Sequence, residues 1–306
     1  MSRPPANPTP HHGGDGDGWV TSPDGQTKRW GRYGASGTLA HDPDRGVLLQ
    51  HRVEWSHFGG TWGIPGGARN SDETALTGAL REAAEEAGLP AGHVRPRGEH
   101  LLDLGWWSYT TVLADVVRPF EPVVADAESL ELAWVPLADV TTLPLHPGFA
   151  ASWPQLTPHL GQRARLIVDV ANVLGATGNG WWRDRAGASS RLLQRIAALS
   201  LTGVTAELAP APLTRYWPET VTVLEGQARS AIDPSRPDRG DGEWLSAPLR
   251  VVRAERDGDQ AIVDEVGRGG GAGTVVVTAD RELRDRVGAL GARTVGPRAL
   301  LDQRPA

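Results

Sequence analysis

Glu82, Glu85 and Glu86 stand at i, i+3 and i+4, a spacing that on an α-helix projects all three carboxylates from one face. Like charges so arranged repel and destabilise an isolated helix unless divalent cations neutralise them, and hard carboxylate oxygens suit Mg²⁺ or Mn²⁺. A solvated acidic face explains Glu85-Glu86 taken alone, but not the residues around them. The helix that must carry these acids is expected over residues 73 to 87, with Ala75, Leu76, Ala79, Leu80, Ala83 and Ala84 as its packing face. Ser71 or Asp72 is expected to cap its start, and Gly88 to close it in the left-handed conformation.

The full pattern runs Gly67, five residues, Glu73, seven residues, Arg81-Glu82, an apolar residue and one other, Glu85-Glu86, one residue, Gly88, Leu89. It is similar to the Nudix box. With each of its fixed positions met by chance roughly 1 time in 15, coincidence is negligible. The resemblance covers about residues 28 to 157: Trp62-Gly63-Ile64-Pro65-Gly66-Gly67 looks like the family's loop leading into the box, and Trp134-Val135-Pro136 like its late strand.

The resemblance implies an α/β/α sandwich around a mixed sheet. It implies metal binding by Glu82, Glu85 and Glu86 together with Gly67, Arg81 orienting the glutamates through ion pairs, and Glu73 supporting the loop or helix end. The general base is then Glu85 or Glu86 within the box, or Glu128 or Glu131 outside it. The implied activity is Mg²⁺- or Mn²⁺-dependent cleavage of a nucleoside diphosphate linked to another moiety, of the nucleoside triphosphate pyrophosphohydrolase type. Oxidised dGTP is the substrate expected from family prevalence. Cations neutralise the anionic phosphate oxygens and lower the pKa of water, and a carboxylate accepts its proton. Trp55, Phe58, Trp62, Trp106 and Trp107 offer surfaces for a base, or alternatively core packing. An alternative from another class is a box that senses nucleotides without turnover and regulates the rest of the chain.

A second set of acids lies further on. The apolar run Arg165-Leu-Ile-Val-Asp169 ends on an aspartate, where open α/β sheets gather ligand groups, and Thr274-Val-Val-Val-Thr278-Ala-Asp280 repeats the arrangement. Asp257-Gly258-Asp259 opens an expected helix, where Asp is also an ordinary cap. Together these elements resemble the NYN branch of PIN-like nucleases over roughly residues 163 to 300. The resemblance implies a Rossmann-like parallel sheet and metal-dependent hydrolysis of RNA. Asp169, Asp259 and Asp280 would be ligands, with Asn172 and Asp285 in support; Gln260 departs from the pattern. RNA is the implied partner of this half, either as substrate or for an inactive binding module. Trp181-Trp182 followed by Arg183-Asp184-Arg185 offers stacking and charge for a strand.

The chain's 306 residues suffice for two ordinary domains, and 39% hydrophobic with 22% charged residues is a globular composition. Charge is uneven: residues 1–162 hold 11 basic against 19 acidic residues, and residues 163–306 hold 20 against 18. The absence of cysteine excludes disulfides, thiolate metal sites and cysteine nucleophiles. No apolar run reaches a membrane span, and the first 18 residues do not form a leader, so a cytoplasmic protein without membrane partners is expected. The organisation expected is a disordered tail over 1–26, carrying His11-His12, a Nudix domain over 27–160, and a NYN/PIN-like domain over 161–306. A mobile loop is expected from Ser230 to Glu243.

Overall fold

The computed structural model describes residues 14–161, 164–178, 180–208, 211–234 and 248–304. His11-His12 lie outside the described residues, as do residues 235–243 of the expected mobile loop. The chain divides into two compact units, the first ending at Gly161.

The first unit begins with a hairpin, β1 (Trp19–Thr21) and β2 (Lys28–Trp30), paired antiparallel with Trp19 opposite Trp30. Then come β3 (Ala35–Asp42), β4 (Gly46–Arg52), β5 (Trp62–Gly63), β6 (Gly66–Ala68) and α1 (Ala75–Ala87), followed by β7 (Val94–Asp103), β8 (Ser108–Val116), β9 (Ser129–Val135) and α2 (Pro147–Leu156). β7 and β8 are antiparallel, β8 and β3 parallel, and β4 is antiparallel to β3, β5 and β9. The sheet is therefore mixed. β6 pairs with the first half of β3, Gly37 opposite Gly66, which delivers the chain directly into α1. Leu76, Ala79, Leu80, Ala83 and Ala87 bury one side of α1, and Thr38 on β3 donates its hydroxyl to the Ala79 carbonyl at 2.8 Å.

Two expectations are corrected by the structure. Residues 14–26 are not a disordered tail. Asp24-Gly25, with Gly25 at φ 73, closes a hairpin turn, and Ser71 donates its amide to Asp15 at 3.0 Å. Turn-rich composition concealed two three-residue strands. The helix cap is Thr74, whose hydroxyl accepts from the Thr77 amide at 3.1 Å; Ser71 is taken by Asp15, and the Asn70 amide bonds the Glu73 carboxylate. Gly88 does adopt the left-handed conformation, with φ 64. After residue 144 the chain forms α2, with Pro147 in its first turn, where no amide partner is needed.

The second unit contains β10 (Arg165–Asp169), α3 (Val170–Gly175), α4 (Arg185–Thr202), the short pair β11 (Val204–Thr205) and β12 (Arg215–Tyr216), and β13 (Glu219–Leu224). It continues with β14 (Leu249–Arg253), α5 (Gly258–Gly269), β15 (Thr274–Val277), α6 (Arg281–Ala289), β16 (Arg293–Val295) and α7 (Pro297–Leu301). Five strands form a wholly parallel sheet ordered β14-β13-β10-β15-β16. Ile167, Val221 and Val276 of its central strands pack with Ile262 and Val266 of α5 and Leu283 and Val287 of α6. This is a Rossmann-like α/β sheet. From β10 the chain winds outward to β14, then returns to the other side of β10, so the winding direction reverses between β10 and β15. At the amino edge, buried Glu265 takes hydrogen bonds from Arg165, Arg250 and Arg268. No helix among the described residues is long and apolar enough to cross a membrane.

Candidate functional site

The three glutamates of α1 do not share one environment. Glu82 and Glu86 are each 4% exposed and lie against the loop of β5 and β6, whereas Glu85 is exposed together with Ala84. The expectation of an acidic face opposite the packing face is corrected accordingly: at i and i+4, Glu82 and Glu86 are drawn to the buried side. One Glu86 oxygen accepts from the Gly66 amide at 2.8 Å. A Cβ at position 67 would stand 2.6 Å from a Glu82 oxygen, which is why glycine sits there.

Arg81 organises the other acids. Its Nε and Nη2 donate to the two Glu73 oxygens at 2.7 and 3.0 Å, its Nη1 to Glu82 at 2.8 Å and Glu85 at 3.0 Å, and its Nη2 to the Ala68 carbonyl at 2.9 Å. Against burial, which works the other way, the Arg81 and Asn70 donors hold the Glu73 carboxyl below its ordinary value. Glu86 is driven the opposite way: burial, then the charges of Glu82 and Asp126, push its pKa well above the usual range. Burial and the nearby Glu86 charge likewise push up the Tyr109 hydroxyl.

Asp126 was not singled out by its sequence. It lies in a stretch without periodicity, yet its loop is fastened to the end of α1 by the Val123 amide on the Ala87 carbonyl (3.1 Å) and the Ala125 amide on the Glu86 carbonyl (3.3 Å). One Asp126 oxygen accepts from the Ser129 amide at 3.1 Å, while the other is buried without a hydrogen-bond partner. Of the two expected base candidates outside the box, Glu131 is exposed on β9 opposite His51, and the Glu128 carbonyl receives the Val53 amide. The opposing charge is Arg52 at the end of β4. Its charge opposes, without reversing, the rise in the Glu86 pKa, and its Nε is buried without a hydrogen-bond partner.

Among the described residues, no three His, Asp or Glu side chains already converge closely enough to hold a metal ion. The chemistry of the donors nevertheless fits Mg²⁺ or Mn²⁺: they are hard oxygens, Glu82 and Glu86 are buried, and burial with the Glu82 charge raises the proton affinity of Glu86, which a divalent cation would relieve.

Of the aromatic candidates, Trp62 is buried and stacked on His51 with centroids 4.7 Å apart, and the Trp107 indole donates to the Trp30 carbonyl at 3.0 Å. Trp106 is partly buried; Trp55 and Phe58 are exposed. Next to Phe58, His146 has its pKa depressed to about 4, first by burial and then by Arg52 and His57. A depressed histidine stabilises the fold above its unfolded value of 6.5, and that contribution is lost as pH falls toward 4. His146→Asn keeps a side chain able to accept from the Gly148 amide. It is expected to flatten the loss of melting temperature between pH 6.5 and 4, read by thermal unfolding across that range.

In the second unit, a cleft of about 520 Å³ opens beyond the carboxyl ends of the parallel strands and is lined by Asp169, Asn172, Glu225, Asp259 and Asp280. It stands where the winding reverses, the usual ligand position of an open α/β sheet. Asp169 accepts from the Asn172 amide and the Thr278 hydroxyl, both at 3.0 Å, and the Asn172 side-chain oxygen accepts from the Ala279 amide at 2.8 Å. Burial first, then neighbouring acids, raise the pKa values of Asp169 and Asp259. Asp169 and Asp280 also cap α3 and α6, a role open to any Asp. Asp285 is exposed on α6 and does not line the cleft. Glu225, missed by the sequence reading, follows the apolar run of β13 just as Asp169 ends β10.

Residues 32–156 match the family model of the NUDIX domain. A Mycobacterium tuberculosis protein described as "Putative 8-oxo-dGTP diphosphatase 3" is 51% identical over 153 residues, 47% of this chain and 70% of that protein. A "Nucleoside triphosphate pyrophosphatase/Nudix hydrolase fusion protein" of Bifidobacterium longum is 43% identical over 158 residues, covering 49% of this chain and 32% of its own length. Among solved structures, a Nudix hydrolase from M. smegmatis, RenU, shares 49% identity over 47% of this chain and 94% of its own, with a TM-score of 0.43. With its box intact, its mixed sheet in place and a relative of this identity covered over more than two thirds of its length, the chain belongs to the Nudix family of pyrophosphohydrolases.

Proposed function

We propose that the first unit hydrolyses nucleoside triphosphates to the monophosphate and pyrophosphate, with oxidised purine nucleotides such as 8-oxo-dGTP as the substrate class. The observation that carries this reading is the pair of buried, mutually repelling carboxylates, Glu82 and Glu86, held against Gly66-Gly67 with an unpaired arginine nitrogen beside them. The name of the M. tuberculosis relative supports the substrate class.

Glu82, Glu85 and Glu86 would hold Mg²⁺ or Mn²⁺, with Gly67 leaving the space that Glu82 needs. A bound cation would neutralise phosphate oxygens and lower the pKa of water. Arg81 fixes Glu82 and Glu85 for that task, and Arg52 offers a positive charge to the phosphates. Glu86 is the group suited to take the proton from the attacking water. Its neighbours raise its proton affinity, and the oxygen not engaged by Gly66 is the one to receive the proton.

A panel of nucleotides, including 8-oxo-dGTP, dGTP, dinucleoside polyphosphates and ADP-ribose, assayed with Mg²⁺ or Mn²⁺ and followed by product identification, tests this reading. Nucleoside monophosphate and pyrophosphate are expected from a triphosphate. Tight nucleotide binding without turnover on any member would replace the hydrolase by a nucleotide-sensing module.

A second reading concerns the other unit, and the acid-lined cleft favours it: a NYN/PIN-like, metal-dependent nuclease acting on RNA, with Asp169, Glu225, Asp259 and Asp280 as ligands and Asn172 in support. Cleavage of single-stranded RNA in Mn²⁺ that disappears in Asp169→Asn is expected. RNA binding without cleavage, unchanged in that variant, would make the unit a binding module.

A further inference from the structure

The family match begins at residue 32, yet the residues before it are built into the site. The Gly16 amide reaches Asn70 in the loop leading to α1, and Asp15 holds Ser71. These contacts fix the β1–β2 hairpin beside that loop. From the hairpin an arc of rings extends in two directions.

On one side, Arg29 lies over the Trp107 ring at 5.9 Å, the Trp107 indole bonds the Trp30 carbonyl, and Trp107 is 6.2 Å from Tyr109. A Cβ on Gly66 would stand 3.1 Å from the Tyr109 hydroxyl, and it is the Gly66 amide that holds Glu86. The hairpin is thereby tied to the glutamates through contiguous contacts. On the other side, Trp19 packs edge to face on Trp30 (5.4 Å) and on His57 (5.8 Å), His57 on Phe58 (4.2 Å), and Phe58 on His146 (4.8 Å).

Edge-to-face clusters of this kind usually fill cores. This one does not: Trp19 is 53% and Phe58 41% exposed. Phe58 is also the single non-glycine residue with positive φ, 58°, among the described residues, a conformation that bulky side chains rarely adopt. The loop thus keeps a large ring in solvent beside His57 rather than letting it turn inward. Exposed, contiguous aromatic surface of this sort marks a binding site.

We propose that the arc Trp19–His57–Phe58–His146 is the nucleobase site of the first unit, with Trp19 of the hairpin and Phe58 as the stacking rings. This deepens the nucleotide reading above and rests on it. A flat base has the chemistry the rings ask for, because it presents a π-face to stack on and polar edges for the two imidazoles. The Arg52 charge acts on His57 and His146 of the arc and also on Glu86, so a base on the rings would have its phosphates on the side of Arg52 and the glutamates.

Equilibrium binding of GMP, followed by tryptophan fluorescence or calorimetry without a divalent cation, tests the site apart from turnover. Ribose 5-phosphate serves as the baseless control. Trp19→Ala and Phe58→Ala are each expected to weaken GMP binding at least tenfold, Trp19→Phe to stay within about threefold of wild type, and ribose 5-phosphate to bind all four proteins alike. The same tenfold rise is expected in KM for the nucleoside triphosphate. GMP binding that is unchanged in Trp19→Ala, or absent from the wild type, overturns the base site. Failure of the hydrolase reading shows elsewhere, as absence of phosphate release from every nucleotide by the wild type.

Discussion

Glu86→Gln is expected to lower turnover about a thousandfold, equivalent to ~4 kcal/mol in the barrier, and at the same time to raise the melting temperature of the metal-free protein. The two effects share one cause. Glu86 is buried, and the charges of Glu82 and Asp126 push its pKa above the ordinary value of 4.5. An acid whose folded-state pKa is raised stabilises the fold fully below its unfolded value and loses that contribution as pH rises through the folded one. Without cation, Glu86 therefore works increasingly against folding as pH rises above the ordinary carboxylate range. Glutamine retains an oxygen for the Gly66 amide and removes the charge. A rise of roughly 2–4 °C is expected per kcal/mol of repulsion relieved. Added Mg²⁺ should stabilise the wild type strongly and the variant weakly. Thermal unfolding with and without Mg²⁺ at pH 7, beside turnover, measures both; a lower metal-free melting temperature with unchanged turnover would give Glu86 a purely structural role.

The second large effect is at Arg81. Its guanidinium serves Glu73, Glu82, Glu85 and the Ala68 carbonyl at once, and the Glu82 side chain is only 5% exposed. Arg81→Ala leaves buried carboxylates without their partner, a loss expected to cost about 3 kcal/mol of stability in the absence of cation. Arg81→Lys keeps the charge but not the planar fork, so it recovers only part of this. Denaturant unfolding reads the stability, and excess Mn²⁺ should restore more of it to Arg81→Ala than to wild type, because the cation replaces the missing positive charge. Equal stability of Arg81→Ala and wild type without cation would contradict the clasp.

The sequence made some of this legible and hid the rest for identifiable reasons. The spacing of Glu82, Glu85 and Glu86 and the glycine at 88 placed α1 and its end, because i, i+4 periodicity and left-handed caps are local properties. The division of labour among the acids was not local. Whether Glu82 or Glu85 is buried depends on Gly67 lying against the helix, a contact set by the pairing of β6 with β3. Asp126 and Arg52 were invisible for a similar reason. Neither belongs to a motif, and only the fold brings the 123–126 loop and the end of β4 to Glu86. The hairpin carrying Trp19 was masked by surrounding Gly, Asp and Pro, although Asp24-Gly25 is a recognisable turn signal.

In the second unit, the resemblance implied the parallel sheet, and the strand-end rule selected Asp169 and Asp280. The same rule applied to β13 would have given Glu225. Asp285, which the resemblance implied in a supporting role, lies on the exposed side of α6.

If both proposed sites hold divalent cations, the carboxylates of α1 and those of the parallel-sheet cleft would bind them separately. Titration of Mn²⁺ monitored by electron paramagnetic resonance, on the wild type, on a Glu82→Gln/Glu86→Gln variant and on Asp169→Asn, tests it most directly. The account predicts two classes of site in the wild type, with the double variant losing the one that supports nucleotide hydrolysis and Asp169→Asn losing the other. Mn²⁺ binding of wild-type stoichiometry and affinity in the double variant would contradict it.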